Sequence, residues 1–187
     1  MADFPQYQMP PPPILTPCHP ESLGLVMPAI FSFTLMGAGS TAWPTANKAF
    51  FFPFRLTEWA TAYQLLFWVG ATSSGNLNVG IYDNEFNLIV SAGSTAMSAT
   101  VNTVQELNIA DTVLPPGDYY LAVAVDNITG TCFKAGGLAD ESTLSSIPVY
   151  EQAGLTAATL TNPGVPVVTT EGTIHVWIVG IQFRNIF

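Results

Sequence analysis

The sequence predicts an all-β protein with an antiparallel β-sandwich, for which a jelly roll is the first expectation and an immunoglobulin-like sandwich the alternative. Roughly eight to ten short apolar runs read as strands, and clusters of Gly, Pro, Asn, Asp and Ser separate them. No helical segments alternate with these runs, which argues against a parallel sheet. The chain has 187 residues, enough for one core. We expect residues 1–22 to form an extended arm and residues 23–187 a single sandwich domain.

The arm is defined by its prolines, which are Pro5, Pro10, Pro11, Pro12, Pro13, Pro17 and Pro20. Such a run favours an extended, polyproline-like chain and excludes a helix or a central strand. One interpretation is a disordered tail. The other is an arm that lies along a neighbouring subunit and is anchored there by its apolar residues, Phe4, Tyr7, Met9 and Ile14. A chain that is already extended loses less conformational entropy when it docks.

The clearest strand signal is a hairpin over residues 76–90. Leu77, Val79 and Ile81 alternate with polar or small residues, as in a strand with one buried face. Asp83, Asn84 and Glu85 supply a turn, and residues 86–90 return as the partner strand.

A second strand, residues 119–125, follows the turn Leu-Pro-Pro-Gly-Asp at 114–118. Its large apolar face carries Tyr119, Leu121, Val123 and Val125. The other face carries Tyr120, Ala122 and Ala124, whose small side chains suit close packing against another layer.

Two further segments complete the strand assignment. Residues 173–183 are apolar on both faces, which predicts a central strand or a subunit contact. Residues 56–69 fit helical spacing but also alternate with period two. Their aromatic content and the all-β surroundings favour a strand.

Composition predicts an assembled protein. Hydrophobic residues make up 49 % of the chain and charged residues 9 %, against about 25 % charged in ordinary domains. Such an apolar surface usually marks protein contacts, so we expect a homo-oligomer or a subunit of a larger assembly.

Charge argues against two classes of partner. Four basic residues stand against 13 acidic ones, for a net charge of -9. Nucleic-acid binding needs cations to neutralise phosphates, and an anionic membrane would repel this chain. No Lys or Arg precedes Lys48, so the basic region of a secretory signal is missing, and the apolar run 23–36 contains Pro28 and is too short to span a bilayer.

We expect no catalytic residues, no cofactor and no metal. The two histidines are His19, in the arm, and His175, which hydrophobic residues flank as in a packed or interface position. Together with Cys18 and Cys132 they lack the paired spacing of a zinc site. The two cysteines are expected to be free thiols, with one disulfide as the alternative.

Calcium is a weaker alternative. Asp83, Asn84 and Glu85 gather oxygen ligands in one turn, and Asp140 and Glu141 form a second acidic pair. The competing interpretation is that turns favour Asp and Asn for conformational reasons.

A sugar-binding face is the more plausible ligand site. Tyr82 lies on the polar face of its strand with Asn78, and Asn84 follows in the turn, so a ring and two amides could meet a sugar. Trp43, Trp59 and Trp68 are further candidates. Because aromatic residues make up 12 % of the chain, most of them are expected in the core or in interfaces.

Three stretches resemble a known group of proteins: SGNLNVGIYD at 74–83, IVSAGS at 89–94 and LPPGDYYLA at 114–122. They are similar to β-sandwich proteins of bacteriophage virions, such as head-decoration, fibre and tail-associated receptor-binding components. The resemblance covers about 49–125. It implies a non-catalytic virion structural protein, made in the host cytoplasm, whose partners are its own copies and other virion proteins. A receptor- or carbohydrate-binding module that recognises a host-surface glycan is the alternative.

Overall fold

The computed structural model describes residues 25–26, 39–134, 150–168 and 177–184, which form two antiparallel sheets packed against each other. The predicted all-β antiparallel sandwich is confirmed. The choice between a jelly roll and an immunoglobulin-like sandwich stays a prediction. The strands of the described residues are β1 Leu25–Val26, β2 Gly39–Ala42, β3 Lys48–Leu56, β4 Ala60–Val69, β5 Asn76–Asp83, β6 Leu88–Ser91, β7 Thr95–Ala96, β8 Thr103–Leu114, β9 Gly117–Val125, β10 Thr131–Lys134, β11 Tyr150–Gln152, β12 Val167–Val168 and β13 Val179–Arg184.

The first sheet, the β4 sheet, is organised around its longest pairings. Strand β4 pairs with both β8 and β13, and Leu66 lies opposite Glu106 on one and opposite Gly180 on the other, so these two strands flank β4. Strand β13 also pairs with β1, and β10 joins β4 to β2. Within the described part of the chain, no helix is long and apolar enough to cross a membrane.

The second sheet, the β9 sheet, runs in the order β12-β11-β3-β9-β5-β6, with β7 added on β5. The predicted hairpin is confirmed as β5 and β6, with Ile81 opposite Val90. The return strand begins at Leu88, two residues later than predicted. Phe86 has a φ of 63° and is still part of the turn, because that left-handed conformation cannot continue a strand.

The core lies between the sheets and follows period-two alternation. On β9, Tyr119, Leu121, Val123 and Val125 point into it, as predicted. Residues 56–69 contain strand β4, and not a helix, which confirms the preferred assignment. A bulge between Ala62 and Gln64 changes the alternation, so Ala62 is buried and Tyr63 points outward.

The last predicted strand, 173–183, is described from Trp177 onward. Strand β13 is paired on both sides, by β1 and by β4, so the central-strand interpretation is confirmed for it. Trp177, Val179, Ile181 and Phe183 belong to the core between the sheets. The indole of Trp177 packs on that of Trp43, with ring centroids 4.6 Å apart.

Residues 153–166, which we call the cover segment, lie on the outer face of the β9 sheet. Its buried members are Leu155, Ala158 and Leu160, which pack with Ala49, Phe51, Tyr82, Ala122 and Ala124 of the sheet. Asn47 holds one end, since its backbone oxygen accepts from Leu155 N (3.1 Å) and its Oδ1 accepts from Ala158 N (3.1 Å). The small residues of β9 therefore do pack against another layer.

Asp126, directly after β9, is hydrogen-bonded to the first residue of β5. Its Oδ1 accepts from Asn76 N (2.9 Å) and Asn127 Nδ2 (2.7 Å), and its Oδ2 accepts from Asn76 Nδ2 (2.8 Å). Burial alone would raise the pKa of Asp126, but these hydrogen bonds favour the charged form and hold the pKa below its usual value.

Candidate functional site

The outer face of the β4 sheet carries an apolar groove. Because Leu65, Phe67 and Val69 of β4 point into the core, alternation places Leu66 and Trp68 on the opposite face. The groove has a volume of ≈ 100 Å³, and its lining includes Leu66, Trp68, Val104, Ile178 and Gly180. Since an engineered cavity of about 150 Å³ accommodates benzene, this volume suits one aliphatic side chain or a proline ring.

Strand register explains the shape of the groove. Gly180 is the direct partner of Leu66 and has no side chain, so a depression opens beside the leucine. On the other flank Val104 is the direct partner of Trp68. The backbone N–H of Trp68 donates to the carbonyl of Ile178 at 3.2 Å, which holds β4 against the residue that precedes β13.

Trp68 stands at the side of the groove with an unusual polar atom. Its indole packs on Phe133, with ring centroids 5.4 Å apart. The indole N–H is buried, and within the described chain it has no acceptor. A buried donor without a partner costs about 1–3 kcal/mol, and the described residues leave this donor of Trp68 without an acceptor.

The lining of the groove contains no charged side chain. Glu106 borders the groove beside Leu66, and its carboxylate accepts from Gln64 Nε2 at 3.2 Å. Lys48 meets Glu151 (3.3 Å) and Arg55 meets Asp118 (2.6 Å) away from this sheet. Arg184 of β13 meets Asp111 of β8 (3.3 Å) in the β4 sheet, but outside the groove lining. The groove is therefore suited to an apolar, uncharged chain and not to an anion.

A second surface feature is an aromatic cluster on the outer face of the β9 sheet. Phe86 stacks on Tyr120 with centroids 4.5 Å apart, and Tyr150 meets both rings edge-on. All three rings are half-buried. Burial, and then the electrostatic interaction and the hydrogen bond with Tyr150, raise the pKa of Tyr120, so the Tyr120 phenol stays protonated at neutral pH.

The predicted ligand face lies mostly under the cover segment. Tyr82 is completely buried, and its hydroxyl donates to the carbonyl of Thr161 at 2.7 Å. Burial raises the pKa of Tyr82. Asn78 is buried as well, and among the described residues no donor reaches its Oδ1. Asn84 alone is exposed, in the turn.

Alternation did place Tyr82 and Asn78 opposite Leu77, Val79 and Ile81, which lie in the core. What it could not reveal is that an irregular segment more than 70 residues later covers that face. The assumption that Tyr82 lies on a solvated strand face was therefore wrong. The aromatic cluster of Phe86, Tyr120 and Tyr150 lies beside it and is the part of this face that solvent reaches.

The remaining candidates are distributed widely. Trp43 lies in the core, Trp59 is 54 % exposed, and Trp68 borders the groove. The arm anchors Phe4, Tyr7, Met9 and Ile14 lie outside the described residues, as do Cys18, His19, Asp140, Glu141 and His175. The groove itself was not predicted, and its one sequence signal was the pair Leu66 and Trp68 at alternate positions.

The described residues offer little to a metal ion or a nucleophilic mechanism. They contain no group of three or more His, Cys, Asp or Glu side chains that could hold a metal. Asp83 uses its carboxylate within the turn, where Oδ1 accepts from Glu85 N (2.9 Å) and Asn87 N (2.8 Å) and Oδ2 accepts from Asn87 Nδ2 (2.8 Å). These bonds within the turn are those expected if Asp83 is there to stabilise the turn conformation through its side chain.

Cys132 is a free thiol buried in the core. Burial raises its pKa to about 12, so the thiolate is scarce at neutral pH. A thiol needs to be deprotonated and accessible to act as a nucleophile. Cys132 therefore has a packing role.

Comparisons with known proteins leave the function to be argued from this chain's own geometry. No family model matches the sequence, and neither the curated proteins nor the solved structures give a match.

Proposed function

We propose that the protein is a non-catalytic structural subunit that works by protein–protein assembly, and that the outer face of its β4 sheet is an assembly surface. The observation that carries this proposal is the apolar groove between Leu66, Trp68, Val104 and Ile178. The solvated face of an antiparallel sheet is normally polar. An apolar depression on that face, with no charge in its lining, fits a protein contact better than free solvent.

Neighbouring side chains extend the apolar surface beyond the groove. Val104 of β8, in the groove lining, is 40 % exposed. Phe133 continues the surface on the far side of Trp68. Only 9 % of the residues of the whole chain are charged, so few charged side chains are present to solvate this apolar surface. This composition supports burial of the surface in an assembly.

The setting we propose, a bacteriophage virion, rests on the sequence resemblance alone. The subunit would be a capsid-decoration, fibre or tail component, with its own copies and other virion proteins as partners. The stretches that carry the resemblance form the β5–β6 hairpin and the turn from β8 into β9. These are structural elements, which suits a role without catalysis.

The test is the solution mass of the full chain by light scattering over a concentration series. We expect a defined oligomer, and we expect Val104→Glu to shift the equilibrium towards monomer by at least tenfold in concentration. Val113→Glu is the matched control, since Val113 lies on the same strand, is 61 % exposed and is outside the groove. A monomeric wild-type chain at every concentration would overturn the proposal.

A receptor- or carbohydrate-binding module is the second candidate, favoured by the half-exposed aromatic cluster. Sugar rings stack on aromatic faces, and the half-buried rings of Phe86, Tyr120 and Tyr150 lie together on this face. A glycan array would show binding that Tyr150→Ala abolishes and that the exposed control Trp59→Ala preserves. Tyr82→Ala is not a suitable test, because that buried ring supports the cover segment. No signal on a broad array would refute this candidate.

A further inference from the structure

We propose that the groove on the β4 sheet receives the Pro-rich arm, residues 1–22, of a second copy of the chain. This inference rests on the proposed assembly function and names the occupant of its surface. It assigns a site to Leu66, Trp68, Val104, Ile178 and Gly180. The ligand is the proline-rich part of the arm between Phe4 and Cys18, which carries no charged side chain.

The chemistry of the arm matches the chemistry of the groove. No charged residue occurs between Phe4 and Cys18, and this stretch holds six prolines and the apolar side chains Tyr7, Met9 and Ile14. Proline-rich segments dock in shallow grooves lined by aromatic residues, because the extended chain is already ordered before it binds. The groove offers the indole of Trp68 and a pocket the size of one such side chain.

Hydrogen bonding points the same way. Trp68 has a buried indole N–H without an acceptor within the described residues. Prolines contribute carbonyl acceptors and no N–H donors, so a proline run can satisfy this indole without adding orphan donors of its own. Side-chain rotations that expose such a group are common when interfaces form.

The path of the chain indicates that the arm belongs to another copy. Strand β1 pairs antiparallel with β13, with Leu25 opposite Gln182 and Val26 opposite Ile181. At Leu25 the N-terminal direction of strand β1 therefore points to the Arg184 end of β13, whereas the groove lies at the other end, beside Ile178 and Gly180. An arm would have to reverse its direction to enter the groove of its own chain.

The arm is also long enough to reach a neighbour. An extended polyproline-like chain rises about 3.1 Å per residue, so 22 residues span about 70 Å. A folded chain of this size is only about 40 Å across, from the usual scaling of the radius of gyration. Exchange of arms between adjacent copies therefore needs no unfolding of the sandwich.

The experiment mixes two full-length variants, each defective in one half of the contact. The first carries Phe4→Ser, Tyr7→Ser and Ile14→Ser and keeps its groove. The second carries Val104→Glu and keeps its arm, with Val113→Glu as its control. We expect each variant alone to be at least tenfold weaker in self-association by light scattering, and the equimolar mixture to form a complex. Near-ultraviolet circular dichroism tests whether both variants are folded. If Val104→Glu does not fold, Val104→Thr takes its place as the groove variant.

The outcomes separate the inference from the proposed function. If the wild-type chain assembles and the arm variant assembles equally well, the arm is not the occupant, although the groove can still be an interface. If both variants are monomeric but the mixture forms no complex, arm exchange between copies is refuted and an arm docked in its own groove explains the loss. If the wild-type chain never assembles, the proposed function itself fails.

Discussion

Gly80 of the β9 sheet lies against Leu160 of the cover segment, and the energetic coupling of these two residues can be measured. A methyl group added at Gly80 would lie 2.7 Å from Leu160 Cδ1, 3.1 Å from Ser91 Cβ and 3.1 Å from the Val90 carbonyl oxygen. Contacts this short force neighbours to move, and overpacking of this kind costs about 1–3 kcal/mol. We expect Gly80→Ala to lower the free energy of unfolding by about 2 kcal/mol.

Leu160→Ala removes the side chain that the new methyl would meet. Leu160 is buried, but the sheet covers it from one side only, so we expect a loss of about 2–3 kcal/mol, at the low end for buried leucines. If the two changes acted independently, the double variant would lose about 4–5 kcal/mol. Because the shortened side chain leaves room for the methyl, we expect the double variant to lose about 3 kcal/mol, a coupling of at least 1 kcal/mol.

Urea denaturation followed by tryptophan fluorescence measures all four free energies of unfolding. Leu155→Ala is the matched control, since Leu155 is buried in the same segment and is not among the three nearest neighbours of a Gly80 methyl. It should add to Gly80→Ala within about 0.5 kcal/mol. Additivity of the Gly80 and Leu160 changes would refute the direct contact, and with it the packing assigned to the cover segment.

Three further predictions concern other parts of the sandwich. Asp126 has a lowered pKa in the folded state. Its stabilising contribution is therefore present above its unfolded-state pKa of about 3.9 and is lost as pH falls through its folded-state pKa. Urea unfolding at pH 7 and pH 3 should show a smaller pH dependence of the free energy of unfolding for Asp126→Asn than for wild type. Ala157 is exposed with a φ of 48°, and Ala157→Gly should raise the melting temperature by relieving about 0.5 kcal/mol of backbone strain; a lower melting temperature would contradict this conformation. In a Cys18→Ser background, Cys132 should react with a thiol reagent only in denaturant, because the thiol is buried and its pKa is raised to about 12; fast reaction of the native protein would show that the core opens there.

Period-two alternation predicted the strands whose two faces meet different surroundings. It assigned the β5–β6 hairpin and both faces of β9, and it favoured a strand over a helix for residues 56–69, where the structure has strand β4. These assignments depend only on residues close together in the sequence, which is why they can be predicted from the local sequence pattern. The bulge at Ala62–Gln64 reverses the pattern locally, and only the pairing with β8 reveals it.

The sites were harder to predict, because they depend on contacts distant in sequence. Tyr82 has the sequence neighbourhood of an exposed strand residue, yet Thr161, 79 residues later, accepts its hydroxyl hydrogen. The groove depends on Gly180 lying opposite Leu66, a register that neither segment specifies alone. Phe86 in a left-handed conformation is equally unexpected, since bulky residues rarely adopt it.

The two outer faces of the sandwich differ in whether a segment of the same chain covers them. Effects of substitutions on self-association can therefore be distinguished from effects on the free energy of unfolding. The outer face of the β9 sheet is covered by residues 153–166, which bury Phe51 and Tyr82 within the same chain. Within the described residues, the outer face of the β4 sheet has no such covering segment over Trp68 and Val104, and it keeps an open groove.

Substitutions under the cover segment should therefore lower the free energy of unfolding with little effect on self-association at a given folded concentration. Val104→Glu should do the reverse, because a rim residue 40 % exposed contributes little to folding. If Val104→Glu instead unfolded the chain and left assembly intact, the groove would be part of the folding core and not a surface for a partner.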